Sequence, residues 1–385
     1  MSEYQYYEFQ ALDRRLTEKE MDELRQISSR AEITPTSLTN EYHWGDFKGN
    51  PDKLIEKYFD LFFYFANWGT RRLILRLPKG TLKSEDIRPY ETEFFRSKVH
   101  KNSVVLEFRS EDESGDWREH EESMPQSLGR IRDELMAGDN RALYLGWLNA
   151  IGQDYTDVDD EDIEPPVPPG LTDLSPALTT LAEFLRIDFD LVAVAAQRSE
   201  TLAPSVNDPA ALKRWLAALP AAQKDEWLWK VLEGEEFGLR GEMTRLFQAE
   251  KNPKKPKPEQ DQTLRRTAGQ LRKAAEAYGE QRLQAEAAAR ASAEARAKKK
   301  AEAAQAQRLA ALKGKEETAW KRIDTWIASK DYEHYDKAVE LLADLKCLAQ
   351  QNNQVQAFVS KVQEIRKQNV SKQALLRRLK KAAIY

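Results

Sequence analysis

The sequence predicts an α+β head followed by a mostly helical remainder. Three observations lead there. Short alternating apolar runs such as Arg72-Leu73-Ile74-Leu75-Arg76-Leu77 crowd the first 110 residues. A proline-free stretch over 261–317 is dominated by Ala, Arg, Lys, Glu and Gln, all strong helix formers. The last 70 residues carry apolar side chains at helical spacing. The implied division is an α+β head (1–110), an acidic helical connector with a Pro-rich linker (111–170) and a helical domain (171–250). A basic Pro-rich linker (251–260), a long Ala-rich charged helix (261–317) and a C-terminal helical bundle (318–385) complete it.

In the head, the aromatic run Tyr4-Gln5-Tyr6-Tyr7-Glu8-Phe9 reads as a strand. Thr17-Glu18-Lys19-Glu20 has the spacing of a capping box and starts a helix over 17–29 with Met21, Leu24 and Ile27 on one face. A second strand is expected over 37–44, and Asn50-Pro51 caps a short helix bearing Leu54, Ile55 and Tyr58. Leu73, Leu75 and Leu77 then share one face of a strand that Pro78 ends. A helix over 84–97 and a strand over 103–109, with Val104, Leu106 and Phe108 alternating, follow. That order fits a ferredoxin-like sandwich with a helical insertion.

Two acidic stretches, 111–122 and 154–164, flank a helix predicted over 130–151, and Pro165-Pro166-Val167-Pro168-Pro169-Gly170 marks a domain boundary. Beyond it, Leu174, Leu178, Leu181 and Leu185 fall at helical spacing. Asn207-Asp208-Pro209 opens a helix with Trp215, and Pro220 opens another with Trp227, Leu228 and Val231 facing inward. The long helix would extend about 85 Å. Its heptad seam (Leu264, Leu271, Tyr278, then Ala285 and Ser292) is too thin to hold a dimer alone. In the last segment, Ile323 and Ile327, then Tyr335, Ala338 and Leu342, then Phe358, Val362 and Ile365 form three apolar faces, before a basic amphipathic helix over 375–381.

The chain has 385 residues, 41% hydrophobic and 32% charged, with a single cysteine and a formal net charge of −4. Its longest apolar run, Leu61–Ala66, is far short of the ~20 residues that span a bilayer. The first residues lack the basic and apolar regions of an export signal. A cytoplasmic protein with no membrane partner is expected. The net charge conceals a split: residues 1–170 carry −13, 171–250 carry −5 and 251–385 carry +14. Such asymmetry points to a basic end that meets an acidic partner.

Motifs for chemistry are sparse. Four scattered histidines and one cysteine offer no zinc spacing, and no metal or cofactor is expected. Asp157-Val158-Asp159-Asp160-Glu161 begins like a calcium loop. Asp162, however, stands where glycine must turn, and Pro168 where the bidentate Glu is needed. No phosphate-cradling or serine-elbow pattern fits. Cys347, among leucines, reads as a small buried hydrophobe.

His43, Asp46 and Arg71, beside the turns Trp44-Gly45 and Trp68-Gly69, are the candidate polar site of the head. His43 would be a general base and Arg71 an anion clamp; packing corners are the plainer alternative. The candidate partner-binding residues are Lys254, Lys255, Lys257, Arg265, Arg266, Lys298, Lys299, Lys300, Arg377, Arg378, Lys380 and Lys381. Such charges neutralise phosphates without sequence preference. The plainer reading is solubilisation of an exposed helix.

The strings MSEYQYYEFQ (1–10), EYHWGDFKG (41–49) and ANWGTRRL (66–73) resemble an uncharacterised family of bacterial proteins, and the resemblance runs through 215–234 and the tail over 335–379. That family implies no activity. The tail is similar to those of bacterial SWIM-type zinc-finger proteins, but the Cys-x-Cys and Cys-x-His ligands of that finger are absent here. The expectation is a non-enzymatic interaction or scaffold protein whose basic C-terminal third docks a protein or nucleic acid. The alternatives are a DNA- or RNA-binding accessory factor of bacterial genome defence or repair, or a cryptic enzyme at the Trp44/Trp68 turns.

Overall fold

The computed structural model describes residues 3–111, 123–153, 155–201, 209–233, 239, 242–243, 246–247, 265–329 and 331–384. Two compact units divide the chain, Met1–Gln281 and Arg282–Tyr385.

The first unit is built on a seven-stranded sheet of β1 (Gln5–Gln10), β2 (Glu32–Ile33), β3 (Ser37–Tyr42), β4 (Leu61–Ala66), β5 (Arg71–Pro78), β6 (Phe95–Val99) and β7 (Ser103–Ser110). Its order is β2-β3-β1-β4-β5-β7-β6, and every neighbouring pair is antiparallel. The α+β character is as expected. Strands β3 and β4 run in the same direction on either side of β1 and are joined through the helix Pro51–Lys57, a split β-α-β arrangement within the antiparallel sheet.

Strand β4 explains why the sequence concealed the sheet's centre. Leu61, Phe63 and Phe65 enter one core, while Phe62, Tyr64 and Ala66 enter the other. A strand buried on both faces carries no alternation to read. On one face, α1 (Glu18–Ile27) and α2 (Pro51–Lys57) cover Phe9, Leu38, Phe62 and Ile74. On the other lie α4 (Met124–Met136), α5 (Arg141–Ile151), α6 (Pro176–Phe184) and α7 (Phe189–Ala196). Expected as one helix over 130–151, α4 and α5 are separated at Gly138, whose φ is +82°. The predicted helix 84–97 shortens to α3 (Ser84–Ile87) and a 3₁₀ turn, because 95–99 pairs with β7 as strand β6.

The proline-rich segment is part of this core. Pro165 and Pro168 are buried, and Leu171 joins the main apolar cluster. The Tyr90 hydroxyl donates to the Pro166 carbonyl at 2.8 Å, and Ser199 Oγ donates to that of Pro168 at 2.7 Å. Arg141 Nη1 donates to the carbonyls of Gly170 and Asp173. Prolines that cannot join a sheet still pack as a strap once their carbonyls find donors.

Two further helices, α8 (Pro209–Ala218) and α9 (Ala221–Leu232), form a small cluster around Trp215, Trp227 and Phe247. Trp227 is buried as expected, but Leu228 and Val231 are exposed, as are Trp229 and Leu232. Leu239 and Phe247 complete the small cluster that takes up Trp227.

The long helix α10 runs Ala268–Leu312, and the boundary between the units falls within it. Its opening turns place Ala268, Leu271 and Ala275 in the first unit's main core. Leu271, read as a dimer-seam residue, is therefore spent on its own chain; Leu264 lies outside the described residues. In the second unit, α11 (Glu316–Ala328), α12 (Tyr332–Gln351), α13 (Val355–Gln368) and α14 (Gln373–Lys381) share one core of Ile323, Ile327, Leu342, Val362, Leu375 and Leu379. Arg308 of α10 reaches Asp344 at 2.9 Å, and Gln305 reaches Cys347 Sγ at 3.4 Å. No helix among the described residues is long and apolar enough to cross a membrane.

The capping box forms as the spacing requires: Glu20 N donates to Thr17 Oγ1 and Thr17 N to the Glu20 carboxylate. Arg14 grips that carboxylate with both guanidinium nitrogens, at 2.8 and 2.7 Å. Mainly through Arg14, the Glu20 carboxyl is held down at about 2. A carboxyl depressed in the folded state stabilises above its unfolded value and loses that contribution as pH falls through the folded one. Glu20→Ala is expected to cost about 1 kcal/mol at pH 7. In urea melts the deficit should narrow as pH drops from about 4.5 toward 2; a deficit independent of pH would contradict the charged role.

Candidate functional site

The head candidates gather at one end of the sheet. Gln5, which begins β1, lies opposite Tyr42 on one side and Ala66 on the other. The chain beyond β3 (His43, Trp44, Gly45, Asp46) and the chain beyond β4 (Asn67, Trp68, Gly69) therefore flank the start of β1, with two strand spacings, about 10 Å, between the strand ends. Tyr4 ties them together. Its ring lies 5.3 Å from that of His43, its N–H donates to Asn67 Oδ1, and its carbonyl accepts from Asn67 N.

A buried glutamine fixes the first turn. Gln5 Nε2 donates to the Gly45 carbonyl at 3.0 Å and to Asp46 Oδ1 at 3.1 Å. Its Oε1 accepts from the hydroxyls of Tyr7 at 2.6 Å and Tyr64 at 3.1 Å. Burial pushes both phenols up, so they stay protonated and serve as donors. All four hydrogen-bonding positions of the amide are thus used, which fixes its orientation. A buried arginine fixes the second turn: Arg71 Nη1 donates to the Gly69 carbonyl at 3.0 Å.

The three candidates are held at the two turns. Asp46 is engaged by Gln5, Arg71 is buried against the Gly69 turn, and the His43 ring lies against Tyr4. These contacts hold His43 and Asp46 at the first turn and Arg71 at the second.

The basic candidates divide into three groups. Lys254, Lys255 and Lys257 lie outside the described residues. Arg266 leaves the partner-facing set: it is buried, with Nε and Nη2 on the Glu164 carboxylate at 2.9 and 2.8 Å and Nη1 on the Val194 carbonyl. The Tyr144 hydroxyl donates to the same carboxylate at 2.5 Å. Burial, with the Glu164 charge second, pushes the Tyr144 phenol far up. Arg265, beside it, is half-buried. Sequence reasoning missed Glu164, which ends an acidic stretch and looks there like its solvated neighbours.

The third group faces outward. Lys298, Lys299 and Lys300 lie on a stretch of α10 that is exposed on every side. On α14, Leu375 and Leu379 enter the core while Arg377, Lys380 and Lys381 are exposed. Arg378 is half-buried, paired with Asp336 at 2.6 Å and seated over the Tyr332 ring at 5.5 Å. Two more cation–aromatic pairs stand in this unit, Arg322 on Trp326 and Lys361 on Trp320.

Asp160 of the calcium-like stretch is paired with Arg272, and Asp162 accepts from the Asp159 N–H. Among the described residues no cluster of three His, Cys, Asp or Glu side chains is arranged to hold a metal ion.

No protein-family model, curated protein or solved structure matches this chain.

Proposed function

We propose that this is a non-enzymatic interaction protein whose C-terminal helical unit docks a polyanion, nucleic acid being the partner its chemistry suits best. One observation carries the reading: α14 spends its apolar face on the core and turns Arg377, Lys380 and Lys381 outward. An amphipathic helix already satisfied on its apolar side has only charge left to offer. Lys298, Lys299 and Lys300 are exposed on α10 as well, and 251–385 carries a net +14. Contacts of this kind bind phosphates through counterion release and read no sequence.

Binding of the full-length chain to a labelled 30-nucleotide strand and duplex, followed by anisotropy across salt concentrations, tests this. Affinity should fall steeply with salt. The triple variant Arg377→Gln, Lys380→Gln, Lys381→Gln should bind at least tenfold more weakly at low salt, with the log–log salt slope reduced by about 0.9 per lost phosphate contact. No binding at low salt, or binding indifferent to salt, would remove nucleic acid as the partner.

A protein partner is the second reading, and a different surface favours it. Leu228, Trp229, Val231 and Leu232 stand exposed along α9, an apolar stripe of the sort that marks protein contacts.

A further inference from the structure

The strongest unassigned feature lies in the head, away from the basic helices. Trp44 is 67% exposed and Trp68 is 44% exposed, although a large indole is ordinarily drawn into a core. Each immediately precedes a glycine in the left-handed region, Gly45 at φ +79° and Gly69 at φ +113°. Each of those glycines has its carbonyl held at 3.0 Å by a buried polar side chain, Gln5 in one turn and Arg71 in the other. Two turns of the same dipeptide, stiffened in the same way, close neighbouring edges of one sheet end. Burying an amide and a guanidinium is costly unless they are well bonded. Here that cost holds two indoles in water, where they add nothing to the core.

We infer that the Trp44 and Trp68 turns form a binding site for a basic peptide segment, whose arginine or lysine side chains stack on the indole faces. The molecule itself demonstrates the contact: the Arg30 guanidinium lies over the Trp44 ring at 4.8 Å. Cations prefer tryptophan to any other aromatic face. Acidic groups stand at both turns to complement them. Asp46 is exposed beside Trp44. Beside Trp68, the indole N–H donates to Thr70 Oγ1 at 3.0 Å, and Thr70 donates to the exposed Glu111 at 2.8 Å. Residues 1–110 carry as many basic as acidic side chains, so the attraction for a basic ligand here is local to Asp46 and Glu111. Pre-organised turns lose little freedom on binding, so few contacts suffice for specificity.

The probe is a labelled hexa-arginine peptide, titrated into the full-length chain in 150 mM salt, with a Gly-Ser peptide of equal length as the neutral control. Trp44→Ala and Trp68→Ala leave the net charge unchanged, so long-range attraction stays the same and only stacking is lost. Each should weaken binding about tenfold, and each Phe replacement two- to threefold, in keeping with the ranking of ring faces. Arg30→Ala, which vacates a face of Trp44, should tighten binding. Both indoles are exposed, so the melting temperature should not move, and a circular-dichroism melt of each variant confirms that. Alanine variants that bind hexa-arginine as tightly as the parent chain would overturn the site. So would equal binding of the neutral peptide. Neither result bears on the C-terminal basic surface, whose test uses nucleic acid and different residues.

Discussion

Arg266→Ala is expected to destabilise the first unit by about 3–5 kcal/mol, the usual cost of leaving one member of a buried ion pair without its partner. Glu164 would remain buried with the Tyr144 hydroxyl as its remaining side-chain donor, and the Val194 carbonyl would lose its guanidinium. The backbone of the same two residues is paired, Glu164 N to the Arg266 carbonyl at 2.9 Å, with a bridge between Ile163 and Thr267 beside it. The ion pair thus fastens the lead-in to α10 against the end of the acidic segment. Urea unfolding followed by circular dichroism gives the loss directly. Removing all the polar groups together, as Glu164→Leu, Arg266→Met and Tyr144→Phe, should recover most of it, because no charge or hydroxyl is then left buried and unpaired. A single-variant loss below about 1 kcal/mol would show that the pair is solvated rather than buried.

Asp60→Asn should cost a comparable 3–5 kcal/mol. Asp60, just ahead of β4 and bonded through its backbone to Gln10 of β1 and Arg76 of β5, is fully buried, and its carboxylate accepts from four donors. Leu12 N and Asp13 N reach Oδ2 at 2.7 and 2.9 Å, while Arg76 Nε and Nη2 reach Oδ1 at 3.1 and 2.6 Å. An amide in that place points an N–H₂ group at donors, so the isosteric change should be nearly as harmful as Asp60→Ala. Arg132 of α4 joins the group by pairing with Asp13 and donating to the Arg76 carbonyl at 2.6 Å. Burial, then the neighbouring Asp60 charge, raises the Asp13 carboxyl. A carboxyl raised in the folded state favours folding while it is protonated and costs stability as pH climbs through its folded value. Thermal melts of both Asp60 variants at neutral pH decide the matter; an Asp60→Asn melting temperature close to the parent's would refute the donor-clash argument.

Much of the architecture was legible because local chemistry and tertiary packing agreed. The Thr17–Glu20 box, the Asn50-Pro51 start and the faces led by Ile323, Tyr335 and Phe358 each carry their own signal, and each formed. What stayed hidden required knowledge of a partner far along the chain. The run Leu61–Ala66 lacks alternation since both its faces are covered. The segment Pro165–Gly170 reads as a linker until Tyr90 and Ser199 supply donors to its carbonyls. Arg266 looks like any other member of a basic run, and only the fold reveals Glu164 against it. The two tryptophan-glycine pairs of the head were legible as turns. Gln5 and Arg71, which hold the two glycine carbonyls, gave no hint of that duty.

The seating of Ala268, Leu271 and Ala275 in the first unit's core has a bearing on biosynthesis. The contacts that close this core join residues more than a hundred positions apart, 119 for Arg132 with Asp13, 102 for Arg266 with Glu164 and 121 for Arg272 with the Ile151 carbonyl. Long-range closure of that kind is slow. A ribosome adding roughly 5–20 residues per second needs on the order of 10–40 s to travel from the end of β4 to Ala275. During that interval Leu61, Phe63 and Phe65 lack their complete helical cover. The second unit closes over much shorter separations, 36 for Arg308 with Asp344 and 45 for Lys372 with the Ile327 carbonyl, and assembles from its own neighbours as it is made.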